Sequence, residues 1–146
     1  MERVNEKYGW VVMLALGLVW LVVGLSQVFT PDVMLVDDIQ HFAGISLNEL
    51  EALSPEATQM VRFLVGAVGM LKISWSFLVI AITLTGYRKG EKWAWYTLWL
   101  VPALLVGSGI FNSVFLGDIN EMLPWIPIMT LTLLGLFLPY RKFFPK

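Results

Sequence analysis

Apolar residues gather into four blocks along this chain, and the polar positions between them carry the signals that start and stop helices. The second block is the most sharply written. Ser54 is a preferred N-cap, Pro55 suits the first helical position, and Glu56 complements the positive helix terminus. Residues 63–85 are then overwhelmingly apolar, enough at about 1.5 Å per residue to cross a hydrocarbon layer of about 30 Å. The pattern predicts one long helix over residues 55–86. The first block predicts a helix over residues 8–29, with Met13, Gly17, Trp20, Gly24 and Gln27 on one face. Small residues on that face mark it as a contact surface, because helices in lipid associate through close packing. The third block runs over residues 93–116 and should kink at Pro102. The fourth, residues 123–140, is short for a crossing and should stand with little tilt.

Between the first two blocks the periodicity changes. Thr30, Pro31 and Asp32 have the order of a helix start, and Gly44 is placed to end that helix. Within it Leu35, Val36, Ile39, Phe42 and Ala43 share one side, and Asp37, Asp38, Gln40 and His41 the other, as in a helix lying at a membrane surface. Ser46 and Glu49 have capping-box spacing and open a second short helical turn. Residues 31–53 therefore read as a structured, amphipathic lid. The fold class that follows is all-α: a four-transmembrane-helix bundle in one membrane domain spanning residues 1–146, with an extracytoplasmic lid between helices 1 and 2.

Composition agrees. With 58% hydrophobic and 14% charged residues in 146, the chain is too apolar for a soluble domain of that length. The first apolar run is longer than that of a signal peptide and no small-residue cleavage site follows Gln27, so it reads as a retained anchor. The net charge of −1 conceals an asymmetry. Arg3, Lys7, Arg88, Lys89, Lys92, Arg141, Lys142 and Lys146 fall on one side, and Asp32, Asp37, Asp38, Glu49, Glu51, Glu56, Asp118 and Glu121 on the other. The positive-inside rule then places both termini and the turn at residues 87–92 in the cytoplasm, in a multi-pass protein of the cytoplasmic membrane. The tyrosines, with Trp10, Trp93 and Trp95, lie at that same boundary as an aromatic belt, and Trp125 marks the outer edge.

Candidate chemistry centres on Lys72, which falls roughly 15 Å below Arg62, near the bilayer midplane. A charge there costs at least about 2.5 kcal/mol and needs a partner, a wet pocket or a lost proton. Its face includes Gly69, Trp75, Ser76 and Val79, and no acid lies at its depth in another helix. Lys72, Asn112, Gln27, Trp75 and Ser76 form the candidate ligand-binding set, while a structural pairing of Lys72 with Asn112, Gln27 or a lid acid, or a cation–π contact with Trp75, is the plainer alternative. Asp37, Asp38 and His41 have a spacing able to hold a divalent ion, against the simpler reading of a solvated acidic face.

Other chemistry is excluded. The chain has no cysteine, hence no disulfide, thiolate metal site or cysteine nucleophile. Ser26, Ser74, Ser108 and Thr130 have no histidine near their depth to act as base, and the glycine pairs read as packing surfaces rather than phosphate loops. The basic turns suit topology and anionic lipids, not nucleic acid. No catalytic residue and no cofactor is expected.

Gly17 to Gly24 followed by Phe29-x-Pro31, then Arg62-x-x-x-Gly66-Ala67, then Arg88-x-Gly90-Glu91-x-Trp93-Ala94-Trp95, resembles the small four-helix membrane proteins grouped around the DoxX-like families. The resemblance covers the first three crossings and lies in packing and interface residues. Some members are associated with membrane quinol-linked oxidases, which implies an accessory subunit. Two functional readings follow: a non-enzymatic structural or accessory subunit of a membrane complex, or a homo-oligomer; and, alternatively, a carrier that binds a lipid, quinone or small ligand in an intrabundle pocket around Lys72. The expected partners are membrane lipids and other membrane subunits or a second copy.

Overall fold

A computed structural model describes residues 4–116, 123 and 125–144, without the side chains of residues 4–7, 37, 38, 41–43, 112, 115 and 116. Among the described residues the protein is entirely helical. The helices are α1 (Val4–Phe29), α2 (Pro31–Ala43), α3 (Leu47–Leu53), α4 (Pro55–Ile82), α5 (Lys92–Leu98), α6 (Leu100–Leu116), α7 (Trp125–Phe137) and α8 (Tyr140–Phe143), and a π-helical turn over Thr83–Tyr87 extends α4. Among the described residues three segments are long and apolar enough to cross a membrane: Tyr8–Phe29, Pro55–Tyr87 and Lys92–Phe111. The 13 residues of α7 rise only about 20 Å.

Local chemistry accounts for the boundaries. The Ser54 hydroxyl accepts from the Ala57 amide at 3.3 Å, so α4 is capped by the residue that precedes it. Ser46 and Glu49 close a reciprocal capping box on α3: Glu49 Oε2 accepts from the Ser46 amide at 2.7 Å, and Ser46 Oγ accepts from the Glu49 amide at 3.2 Å. Gly44 ends α2 with φ +67°, its amide donating to the Gln40 carbonyl. Thr30 departs from expectation. Its hydroxyl does not cap α2 but donates back to the Ser26 carbonyl at 2.9 Å, satisfying the end of α1. The third apolar block is interrupted at Trp99 because Pro102 has no amide hydrogen for the Leu98 carbonyl, and its ring crowds that carbonyl.

The chain forms two compact units. One comprises residues 18–77 and the other residues 1–17 with 78–146. In the first, Leu35 and Ile39 of α2 and Leu47 of α3 are buried together against Ile45, Leu50, Val61 and Val65. Val36, expected on the same face, is half exposed, so the buried stripe of α2 is narrower than its composition implies. Arg62 of α4 fastens both short helices: its guanidinium donates to Asp32 at 2.7 and 3.3 Å and to Glu51 at 3.1 Å. In the second unit α1 packs closely on the end of α7, with Gly9 against Pro139 and Met13 fully buried against Gly135. Trp95 sits among Tyr96, Trp99, Tyr140 and Phe144 in edge-to-face contacts.

Candidate functional site

The approach of α1 to α4 within the first unit sets the surroundings of Lys72. A Cβ added at Gly24 would lie 3.0 Å from the Gly69 carbonyl oxygen, and one added at Gly69 would lie 2.8 Å from the Gly24 carbonyl oxygen. Two backbones this close require glycine on both sides. From that crossing the helices run antiparallel, so a turn backward on α1 and a turn forward on α4 reach the same level: Trp20 and Lys72. The Lys72 ammonium lies over the Trp20 indole, 5.6 Å from the ring centroid.

This contact changes the electrostatic argument. A cation–π interaction is worth about 0.5–2 kcal/mol depending on desolvation, so Trp20 stabilises a charged Lys72 without supplying a counter-charge. The sequence places Trp20 on the contact face of α1 but does not join it to Lys72; the signal was the shared level of the two glycines. Trp75, expected as the aromatic neighbour, is half-buried on the same helix.

The remaining candidates separate. Gln27 packs its Cβ over Gly69, on the other side of the crossing from Trp20. Its Oε1 is buried and accepts no hydrogen bond, so Lys72 does not donate to it. Ser76 is fully buried, and its hydroxyl donates to the Lys72 carbonyl at 2.7 Å, one turn back in the same helix. The side chain of Asn112 lies outside the described residues, as do those of Asp37, Asp38 and His41. Among the described residues no group of three or more His, Asp or Glu side chains is placed to hold a metal ion.

Three candidate hydroxyls are committed to their own helices. Ser26, Ser74 and Thr130 donate to the carbonyls of Val22, Met70 and Ile126 at 3.1, 3.0 and 2.8 Å. Such back-bonding leaves none of them paired with a base. The Lys72 ammonium thus lies on an aromatic face, and, three residues past the glycine crossing on α1, a buried amide oxygen is able to accept from a proton donor. Sequence reasoning missed the Arg62–Asp32–Glu51 cluster, whose signal was a lone arginine at the start of an apolar helix preceded by acids. No family model, curated protein or solved structure matches this chain.

Proposed function

We propose that this chain is an integral membrane protein of four crossings, with both termini in the cytoplasm and α2–α3 forming an outer lid, that serves as a non-enzymatic structural or accessory subunit or assembles with its own copies. One contrast carries this reading. Gly9, Gly17, Gly24, Gly69, Gly86 and Gly135 each lie where an added Cβ would meet a neighbouring atom at 3.0 Å or less, so these six glycines mark close packing. Gly66, like Gly107 of α6, breaks the rule: an added Cβ there meets nothing within 4 Å among the described residues. It lines an open apolar groove with Val28, Phe63, Ala67, Met70, Leu71 and Ser74. A small-residue groove in a lipid-facing helix fits a helix from another chain. The resemblance to the DoxX-like proteins supports the same reading and suggests a respiratory or oxidase-linked assembly.

Native mass measurement after gentle detergent extraction tests it. The parent protein should emerge in a larger assembly. Gly66→Leu, which fills only open space, should reduce that assembly while leaving the thermal melting of the chain unchanged. A parent that is monomeric in every mild detergent would refute the subunit reading.

A second reading is favoured by the buried, unpartnered Gln27 oxygen: a carrier that binds a lipid, quinone or small ligand in a pocket around Lys72, with Trp75 and Ser76 on the same helix. A monomer that retains a bound small molecule, released by Lys72→Met, would support it over the first.

A further inference from the structure

The sequence places basic residues in two runs, 88–92 and 141–142, half a hundred positions apart. The fold joins them. The π-helical turn that ends α4 brings the chain round through Gly90, whose φ of +82° lets the turn close tightly. The stem of Lys142 packs over Gly90, and its ammonium donates to the Arg88 carbonyl at 2.8 Å. Tyr87 and Phe143 stack beneath, with ring centroids 4.7 Å apart. Lys92 lies over Phe144 at 5.3 Å, and Arg88 over Trp10 at 4.9 Å. Arg88, Lys89, Lys92 and Arg141 are exposed, and the acid among them, Glu91, is engaged by the Trp93 indole N–H.

Among the described residues, five cations are thus held on one surface with one acid, more positive charge than two helix C-termini of about half a negative charge each would neutralise. The surrounding side chains identify the depth. Tyr8, Trp93, Tyr96 and Tyr140 are all about half exposed, the amphipathic aromatics that sit at the headgroup level of a bilayer. A cluster of cations at that level, above helices whose outer faces are apolar, matches a molecule with an anionic head and hydrocarbon tails.

We infer that Arg88, Lys89, Lys92, Arg141 and Lys142 together form a binding site for the headgroup of an anionic phospholipid. Lys142 and Arg88, held by backbone and ring contacts, are the fixed part; Lys89 and Arg141, on the exposed surface, supply adjustable charge. The inference rests on membrane insertion and not on the accessory role, so either can fail without the other.

The experiment is native mass spectrometry of the full chain with phosphatidylglycerol or phosphatidylcholine of identical acyl chains. The parent should retain phosphatidylglycerol preferentially. Replacing Lys89→Gln and Arg141→Gln together should lower that retention by about fivefold for each charge removed, with phosphatidylcholine retention and melting temperature unchanged. The swap Lys89→Arg with Arg141→Lys should restore the parent preference. Raising the salt concentration on the parent gives the same readout with no substitution, because the preference should collapse with screening. Equal retention of both lipids by the parent, or undiminished phosphatidylglycerol retention by the double glutamine variant, overturns the site. Displacement of phosphatidylglycerol by inorganic phosphate at equal concentration overturns its assignment to a lipid.

Discussion

The Tyr87 hydroxyl donates to the Gly135 carbonyl at 2.6 Å, and this is the carbonyl that Pro139 leaves without an intrahelical donor. Trp95 does the same one residue on, its indole N–H donating to the Leu136 carbonyl at 3.0 Å. Tyr87 of the π-helical turn and Trp95 of α5 thereby cap the end of α7, where proline stops the ladder. Tyr87 is 1% exposed, so the capping takes place in a dry site where an unmet acceptor is costly.

Tyr87→Phe should therefore destabilise the protein by about 1–3 kcal/mol, the usual penalty for leaving a buried acceptor unsatisfied. The ring stays, so its contact with Phe143 stays and no cavity forms. Thermal melting in detergent reads the effect. An unchanged melting temperature would mean that water already satisfies Gly135.

The Ser46–Glu49 capping box should make α3 sensitive to acid. Hydrogen bonds from the Ser46 amide, and then from its hydroxyl, hold the Glu49 carboxyl below its ordinary pKa of 4.5. A carboxylate depressed by folding adds stability that is complete above its unfolded pKa and is lost as the pH falls through the lower folded one. Amide exchange at Glu49 and Leu50 should accelerate only below the ordinary carboxylate range. Glu49→Gln keeps a capping side chain without a titrating proton and should abolish the pH dependence; persistence of the acid transition in that variant would locate it elsewhere.

Arg62 should hold α2 and α3 as a pair. Its side chain is 31% exposed and those of Asp32 and Glu51 are 53% and 49% exposed, so each interaction is screened and worth about 0.2–1 kcal/mol. The two-point contact with Asp32 places it at the upper end of that range. Arg62→Gln should raise amide exchange throughout residues 31–53 while leaving the Gly24–Gly69 crossing intact. A double-mutant cycle of Arg62→Ala with Asp32→Ala should return a coupling near the upper figure, and a coupling of zero would reduce the cluster to a surface coincidence.

The features legible in the sequence are those whose partners lie within a turn of one another. Helical class follows from the period of the apolar positions, and the caps at Ser54 and at Ser46 with Glu49 are written three residues apart. The interruption at Trp99 follows from Pro102 alone. Thr30 shows where a local rule loses: its hydroxyl could cap the helix ahead or close the helix behind, and the four-residue reach to Ser26 prevailed. Tyr87 with Gly135, Arg62 with Asp32 and Lys72 with Trp20 were not legible, because each depends on the register between separate helices. Hydropathy assigned Lys72 a depth; only the meeting of Gly24 with Gly69 assigns it a neighbour.

That neighbour leads to the last prediction, which separates a charged lysine from a neutral one. Only an ammonium is attracted to the face of an indole, so the energy that couples Trp20 to Lys72 reports the charge state directly. Lys72→Met should leave the protein as stable as before or more so, since a partly buried cation on an apolar helix is replaced by an apolar side chain of similar length. Trp20→Leu should be destabilising for two reasons, lost packing and the loss of the ring beneath the ammonium. In the Lys72→Met background only the first of these applies, so Trp20→Leu should cost less there, by about 0.5–2 kcal/mol. Melting temperatures of the parent, both single variants and the double variant measure this difference. If Trp20→Leu costs the same whether position 72 is lysine or methionine, the ammonium draws nothing from the ring, and Lys72 is held neutral or by another group.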